Sequence, residues 1–401
     1  MRDFKFIDLF AGIGGFHQAM TQLGGTCVFA SEIDKHAIDV YKKNYGIDSG
    51  INVRDVKAED IPEHDVLCGG FPCVAFSKAG KQEGFKDQIR GTLFFEIVRI
   101  LEYHKTPYII LENVRNLVGH DGGNTWKVIN GTLKSIGYRL MKEPLILSPY
   151  QFGVPQTRDR VVILGKYDPE NVNVPLNIKF ENLKKKKDNS IYTILQNESD
   201  VSDKYRISKQ EDNVYAMWDE FYHGVQPKVI GFPIWSWLWG MEEPPKEYPD
   251  WKKALSQKNI DFYNANKPFI DSWYEKHNHL EGMTDTQKKF EWNAGTGINS
   301  VYDGIIQVRP SGVRVKQPDC YPALVAMVQT PVIGQRKRRI TPREAARLQS
   351  FPDTFILDED EHQAFKQLGN AVNVTVMREC MKKLFEEEPD NVFAKQLSLD
   401  F

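Results

Sequence analysis

The stretch Asp65-Val66-Leu67-Cys68-Gly69-Gly70-Phe71-Pro72-Cys73-Val74-Ala75-Phe76-Ser77 begins as a short apolar run, meets two glycines and turns at a Pro-Cys pair. The apolar run predicts a buried strand, and the glycines and proline predict a tight turn at its carboxyl end. Open α/β sheets carry their chemistry at that end. A lone free cysteine is ordinarily just a small buried hydrophobe. Cys73 has company: a glycine-rich turn, Ala11-Gly12-Ile13-Gly14-Gly15, precedes it, and Glu112-Asn113-Val114 and Arg158-Asp159-Arg160 follow. Each is expected at a strand end or in a loop.

Outward from that turn, the first 166 residues alternate short apolar runs with helical patterns. Phe4 to Phe10, Thr26 to Ala30, His64 to Cys68, Tyr108 to Leu111 and Arg160 to Gly165 read as strands. A helix is expected from Asp34 to a stop at Gly46, and another over 92–104, where Leu93, Ile97, Ile100 and Leu101 share a face. Such alternation predicts the α/β class, with a doubly wound, mainly parallel, Rossmann-like sheet. From Lys166 to about Gln335 the alternation breaks down and tryptophans crowd, among them Trp218, Trp235, Trp237, Trp239 and Trp273. Core packing is the expected role of the Ile234 to Trp239 stretch, ahead of a base-stacking platform. Regularity returns at Thr341-Pro342-Arg343-Glu344, which has the form of a capped helix start. The expected organisation is a discontinuous first domain, 1–175 with 345–401, and a smaller irregular domain over 176–344.

The 401-residue chain carries a net charge of −2, so a nucleic-acid partner must be met by locally concentrated charge. Two basic runs offer it, Lys184-Lys185-Lys186-Lys187 and Arg336-Lys337-Arg338-Arg339. A charge run is usually just a solvated face, and that is the first reading of each. Five cysteines without a CxxC pair argue against a disulfide framework and against a zinc site. There is no signal-peptide pattern and no apolar run near the ~18 residues of a membrane span. A cytoplasmic protein is expected, with no membrane partner.

The candidate site residues have separate chemical rationales. Glycines after a first strand let a ligand approach the backbone, and Glu32 ends the second strand, where an acidic residue commonly holds ribose hydroxyls. The half-site suits an adenosine cofactor, either a dinucleotide or S-adenosylmethionine. A cysteine thiolate adds to electron-poor carbons but needs an activated substrate. Glu112, at the end of an apolar strand, is placed to be the activating acid, since burial there favours the protonated carboxyl. Arg158 and Arg160 alternate onto one face, where two guanidinium forks can converge on a carboxylate, a phosphate or a base oxygen.

Together these motifs resemble the cytosine-C5 DNA methyltransferases of bacterial restriction–modification type. Phe6-Ile7-Asp8-Leu9-Phe10-Ala11-Gly12-Ile13-Gly14-Gly15 is similar to their cofactor motif and Gly70-Phe71-Pro72-Cys73 to their nucleophile motif. Glu112-Asn113-Val114 and Gln156-Thr157-Arg158-Asp159-Arg160 are similar to their substrate-activating motifs. The run Arg339 to Gln349 and the run Gln367-Leu368-Gly369-Asn370-Ala371-Val372 are similar to their C-terminal motifs, and all stand in the family order. Two departures are Val74, where many members carry Gln, and Ala323, where many carry Thr.

The resemblance implies S-adenosylmethionine as cofactor, S-adenosylhomocysteine as product, and no metal. Phe10, Gly12, Gly14, Gly15, Glu32, Asp55, Gly70, Pro72, Leu93 and Asn370 would form its pocket, with Glu32 on the ribose and Asp55 at the adenine edge. Cys73 would attack C6 of a cytosine flipped out of duplex DNA. Glu112 would protonate or hydrogen-bond N3, and Arg158 and Arg160 would hold the base oxygen and the carboxylate. C5 would then take the methyl group, and loss of its proton would expel the cysteine. Ser77, Arg309 and Arg314 are the expected DNA contacts, with sequence reading placed in the second domain. A monomer acting beside a cognate restriction endonuclease is the implied setting. Three alternatives stay open: a tRNA methyltransferase of the same family, a non-catalytic DNA-binding relative, and a nucleotide-dependent oxidoreductase. The tRNA subgroup's Cys-Phe-Thr element is absent, and an oxidoreductase leaves the Pro-Cys and Arg-x-Arg motifs unexplained.

Overall fold

A computed structural model describes residues 3–71, 93–228, 230–324 and 331–389. The chain forms two compact units, Met1–Asn189 with Pro322–Val328 and Pro342–Phe401, and Ser190–Tyr321 with Gln329–Thr341. Residues 176–189 therefore pack with the first unit, beyond the boundary at 175 read from the sequence. Backbone hydrogen bonds from Leu176 to Leu140 (3.0 Å) and from Lys184 to Gln151 (2.9 Å) hold them there. No helix among the described residues is long and apolar enough to cross a membrane.

The first unit is an α/β layer structure. It begins with β1 (Phe4–Leu9), α1 (Gly15–Thr21), β2 (Gly25–Ser31), α2 (Lys35–Tyr45) and β3 (Val66–Gly69). Next come α3 (Leu93–His104), β4 (Tyr108–Val114), α4 (Asn124–Ser135), β5 (Tyr138–Leu140), β6 (Leu145–Leu147), a two-residue β7 (Gln156–Thr157) and β8 (Arg160–Tyr167). The sheet order is β2-β1-β3-β4-β8-β5, with β6 also paired to β8. β2, β1, β3 and β4 are parallel, whereas β8 runs antiparallel to β4, β5 and β6. Strands covered on both faces read as continuous apolar runs. Ile109, Ile110 and Leu111 illustrate this, each fully buried and each stabilising the fold by roughly 1.5–3 kcal/mol.

Local signals set the element ends. The Asp34 carboxylate caps α2, accepting from the N–H groups of His36 and Ala37, an arrangement worth about 1 kcal/mol. Gly46 ends the same helix in a left-handed conformation.

The second unit is a six-stranded sheet backed by two helices, α5 (Lys209–Gly224) and α6 (Asp250–Lys276). The expectation of irregular structure is corrected here: short strands hidden among polar residues, such as Lys289–Asn293 and Gly312–Lys316, pair into an ordered sheet. Its aromatic residues form the core, as Trp218 stacks on Phe290 at 5.0 Å and Tyr222 on Trp292 at 3.6 Å. Ile234 and Trp239 join this packing and Leu238 is buried, while Trp237 stays 40% exposed and stacks on Trp235. The chain then returns to the first unit as α7 (Pro342–Leu348), α8 (Glu361–Asn370) and α9 (Val374–Glu387).

Candidate active site

The carboxyl ends of β1, β2, β3 and β4 open onto one cavity of about 310 Å³. The turn after β1 contributes Phe10, Ala11, Gly12, Ile13 and Gly15, and the end of β2 contributes Ser31 and Glu32. Gly70 after β3, Leu93 opening α3 and Glu112 in β4 line it as well, and α8 adds Lys366, Gln367 and Asn370. Eight residues singled out from the sequence thus line one cavity: Phe10, Gly12, Gly15, Glu32, Gly70, Leu93, Glu112 and Asn370.

Glu32 organises the β2 end of this cavity. Its carboxylate accepts from the N–H groups of Gly12 (2.8 Å), Ile33 (2.7 Å) and Asp34 (2.9 Å). Gly15 is required by close approach, because a Cβ there would stand 2.7 Å from Val372 Cγ2 and 2.8 Å from the Val372 carbonyl oxygen.

Two expected pocket residues are placed elsewhere. Gly14 precedes α1 in a left-handed conformation, φ 84°, with the Tyr45 ring where a Cβ would be. The Tyr45 hydroxyl donates to its carbonyl at 2.9 Å, so Gly14 shapes the turn from behind the wall. Asp55 is exposed at the end of a short turn and does not line the cavity; Ile51, Asn52 and Val53 of the same segment do.

At the β4 end, Glu112 is nearly enclosed and its Oε1 meets Arg160 Nε at 2.9 Å. Burial pushes its carboxyl above the ordinary range, against the opposing pull of Arg160 and Arg158. The antiparallel β8 makes this pair possible. Its first residue, Arg160, stands opposite Val114, and Glu112 lies two residues back on the same face. Asn113 beside it donates to the Phe71 carbonyl at 2.7 Å, fastening the turn that leads to Cys73. Pro72, Cys73 and Ser77 themselves lie outside the described residues.

Arg158 is buried and spends its guanidinium on backbone carbonyls: Leu324 (3.1 Å), Gly369 (2.8 Å) and Ala371 (3.0 Å). Desolvation lowers its proton affinity. The two arginines were expected to act together on the base and the carboxylate; here Arg160 meets the carboxylate and Arg158 ties distant loops.

In the second unit, Arg314 Nε donates to Glu291 Oε2 at 2.7 Å, from neighbouring strands, and Arg309 is exposed at a strand end.

The family model for C-5 cytosine-specific DNA methylase matches residues 4–386. The chain belongs to the C-5 cytosine-specific DNA methylase family. It is a DNA (cytosine-5-)-methyltransferase, and membership implies S-adenosylmethionine as methyl donor and DNA as substrate. Among curated proteins it is 31% identical to "Type II methyltransferase M.AluI" of Cellulosimicrobium cellulans, over 95% of this chain and 91% of that protein. It is 32% identical to "Type II methyltransferase M.SsoII" of Shigella sonnei, over 95% and 80% respectively. Its fold is similar to that of a Spodoptera frugiperda DNMT2 mutant, with a TM-score of 0.52 at 19% identity, covering 95% of this chain and 99% of that one.

Several wall residues of this methylase escaped the sequence reading. Ile33 and Asp34 follow Glu32 directly, and Lys366 and Gln367 precede Asn370 by about one helical turn. Helical spacing back from Asn370 was the signal that would have found the latter pair. Lys366 Nζ meets Asp34 Oδ2 at 2.8 Å, closing α8 against the start of α2.

Proposed function

We propose that this methylase modifies cytosine in duplex DNA through Cys73, Glu112 and Arg160, as the protective half of a restriction–modification system. The observation that carries the assignment is the single cavity joining the Gly12–Glu32 turn to Glu112. Its about 310 Å³ falls at the lower end of ordinary ligand pockets. Apolar walls at Phe10, Ile33, Val53 and Leu93, together with the Glu32 carboxylate, suit an adenosine bearing a charged tail. Phe10, Gly12, Gly15, Glu32, Gly70, Leu93 and Asn370 would hold S-adenosylmethionine, which supplies the methyl group when bound. Gly14 supports the turn. Asp55 would reach the adenine edge only from beyond the cavity wall.

Cys73 adds to C6 of a cytosine turned out of the helix, since a stacked base cannot present that carbon to a thiol. Glu112 holds a proton at N3, and burial shifts its proton affinity in the direction that task needs. Arg160 orients the Glu112 carboxyl. Arg158 is a positioning residue, locking the loop after α8 behind Glu112. The first unit carries catalysis and the second reads sequence, with Arg309 and Arg314 as base contacts and Ser77 on the DNA side of the nucleophile loop. The protein works as a monomer on DNA in the cytoplasm, beside an endonuclease cutting the same site.

Transfer of labelled methyl groups from S-adenosylmethionine to duplex DNA tests this directly. Cys73→Ser should abolish transfer while DNA binding survives; more than a few per cent residual turnover overturns the role of Cys73. A duplex with 5-fluorocytosine at the target should trap the wild-type enzyme covalently.

A further inference from the structure

The two basic runs of the sequence have opposite fates. In the second unit, run 336–339 is neutralised internally. Arg338 is fully buried with its Nε on Glu198 at 3.0 Å, Arg336 approaches the same carboxylate at 3.7 Å, Lys337 meets Asp212 at 3.0 Å and Arg339 pairs with Glu211. That run is committed to holding its own unit together.

Run 184–187 in the first unit lies on the surface. All four lysines are exposed. Among the described residues, no carboxylate lies within ion-pair distance of Lys184, Lys185 or Lys187. Lys186 Nζ sits 5.5 Å over the Tyr150 ring. The nearest acid in sequence, Asp188, accepts instead from the Lys185 backbone N–H at 2.8 Å. The ammonium groups of Lys184, Lys185 and Lys187 thus share a positive field on the surface, which a polyanion would complement.

The run is also tied to the turn that holds Arg158. Lys184 N–H donates to the Gln151 carbonyl at 2.9 Å, and Asn189 Nδ2 donates to the Tyr150 carbonyl at 3.1 Å. Tyr150 and Gln151 belong to the short turn Pro149–Phe152, capped by Ser148. The Ser148 hydroxyl accepts from the Arg158 N–H at 2.8 Å, two residues before Arg160. A chain with net charge −2 must gather local positive charge to hold a polyanion.

We infer that run 184–187 is a contact surface for the phosphate backbone of duplex DNA, fixed beside the Glu112–Arg160 site. This rests on the DNA methyltransferase reading. The run supplies affinity and orientation without reading sequence.

The test is the triple variant Lys184→Gln, Lys185→Gln, Lys187→Gln in the full chain, sparing Lys186 on its ring. Binding of a target duplex and an unrelated duplex is followed by fluorescence anisotropy across a salt series. The slope of log K against log salt should become shallower by about 0.9 for each phosphate contact removed. Both duplexes should lose affinity alike, and turnover at saturating DNA should stay at the wild-type value. A control, Arg336→Gln with Lys337→Gln, should leave the slope unchanged. An unchanged slope in the lysine variant overturns the inference, as does a loss confined to the target duplex or a shallower slope in the control alone. Thermal melts confirm that each variant is folded, and Lys185→Glu alone should weaken both duplexes if the triple variant is not. Wild-type methyl transfer measured in parallel separates the two readings. A chain that methylates DNA yet keeps its slope when the lysines are removed refutes only the patch.

Discussion

The two ends of the active-site cavity are assembled over very different stretches of chain. At the Glu32 end, the decisive hydrogen bond joins Gly12 to a residue 20 positions away, within a single β-α-β unit. At the Glu112 end, Arg158 reaches Leu324, Gly369 and Ala371, 166, 211 and 213 positions away. The first end depends on local turns and close helix packing. The second exists only once the C-terminal segment has docked, so its geometry is coupled to the stability of the whole unit. A buried cation serving three carbonyls binds that coupling tightly, because removing it leaves acceptors without donors.

Arg158→Ala should therefore have the largest effect, a loss of about 3–5 kcal/mol in chemical denaturation. If stability falls by less than about 1 kcal/mol while methyl transfer collapses, Arg158 acts on the substrate and the contrast between the two ends fails. Glu112→Gln should come next. It retains hydrogen bonding but cannot transfer a proton, so kcat should drop about 10²-fold or more with DNA affinity nearly unchanged. In the wild type, the rate limb belonging to Glu112 should fall with rising pH, at a midpoint above the ordinary 4.5, and this limb should vanish in the variant. A larger effect on DNA binding than on rate would make Glu112 a positioning group.

Gly15→Ala probes the opposite end. Its new methyl group meets the Val372 side chain and carbonyl, so about 1–3 kcal/mol of stability should be lost, together with cofactor affinity measured by calorimetry. A silent substitution would show that the end built from local turns is looser than its packing implies.

The smallest effect concerns pH. His17, behind the turn, is buried with its Nδ1 at 2.7 Å from the Tyr41 hydroxyl, and burial lowers its pKa from 6.5 to about 4. The unfolded chain takes up this proton first. The stabilisation is thus complete above pH 6.5 and is lost as pH falls toward 4, by roughly 1–2 kcal/mol between pH 7 and 5. His64, lowered to about 4 by burial, adds a similar slope. His17→Gln should flatten the pH dependence of the melting temperature; an unchanged dependence would remove His17 as its source.

The sequence by itself determined β1, β2, β3, β4 and β8, the helix with its Asp34 cap and Gly46 stop, and the glycine turn after β1. These follow from nearest-neighbour chemistry: apolar periodicity, capping side chains and the backbone freedom of glycine. The motif order made the family legible too, and the match over residues 4–386 agrees with it. The direction of β8, the ordered sheet of the second unit and the separate duties of Arg158 and Arg160 were decided only by the tertiary structure. An apolar strand reads the same in either direction, and a short strand such as Lys289–Asn293 is recognisable only beside its partners. An Arg-x-Arg pattern likewise reveals two cations but not their acceptors. Those acceptors are a carboxylate on β4 and carbonyls from far along the chain, brought within reach when α8 closes over the carboxyl ends of the strands.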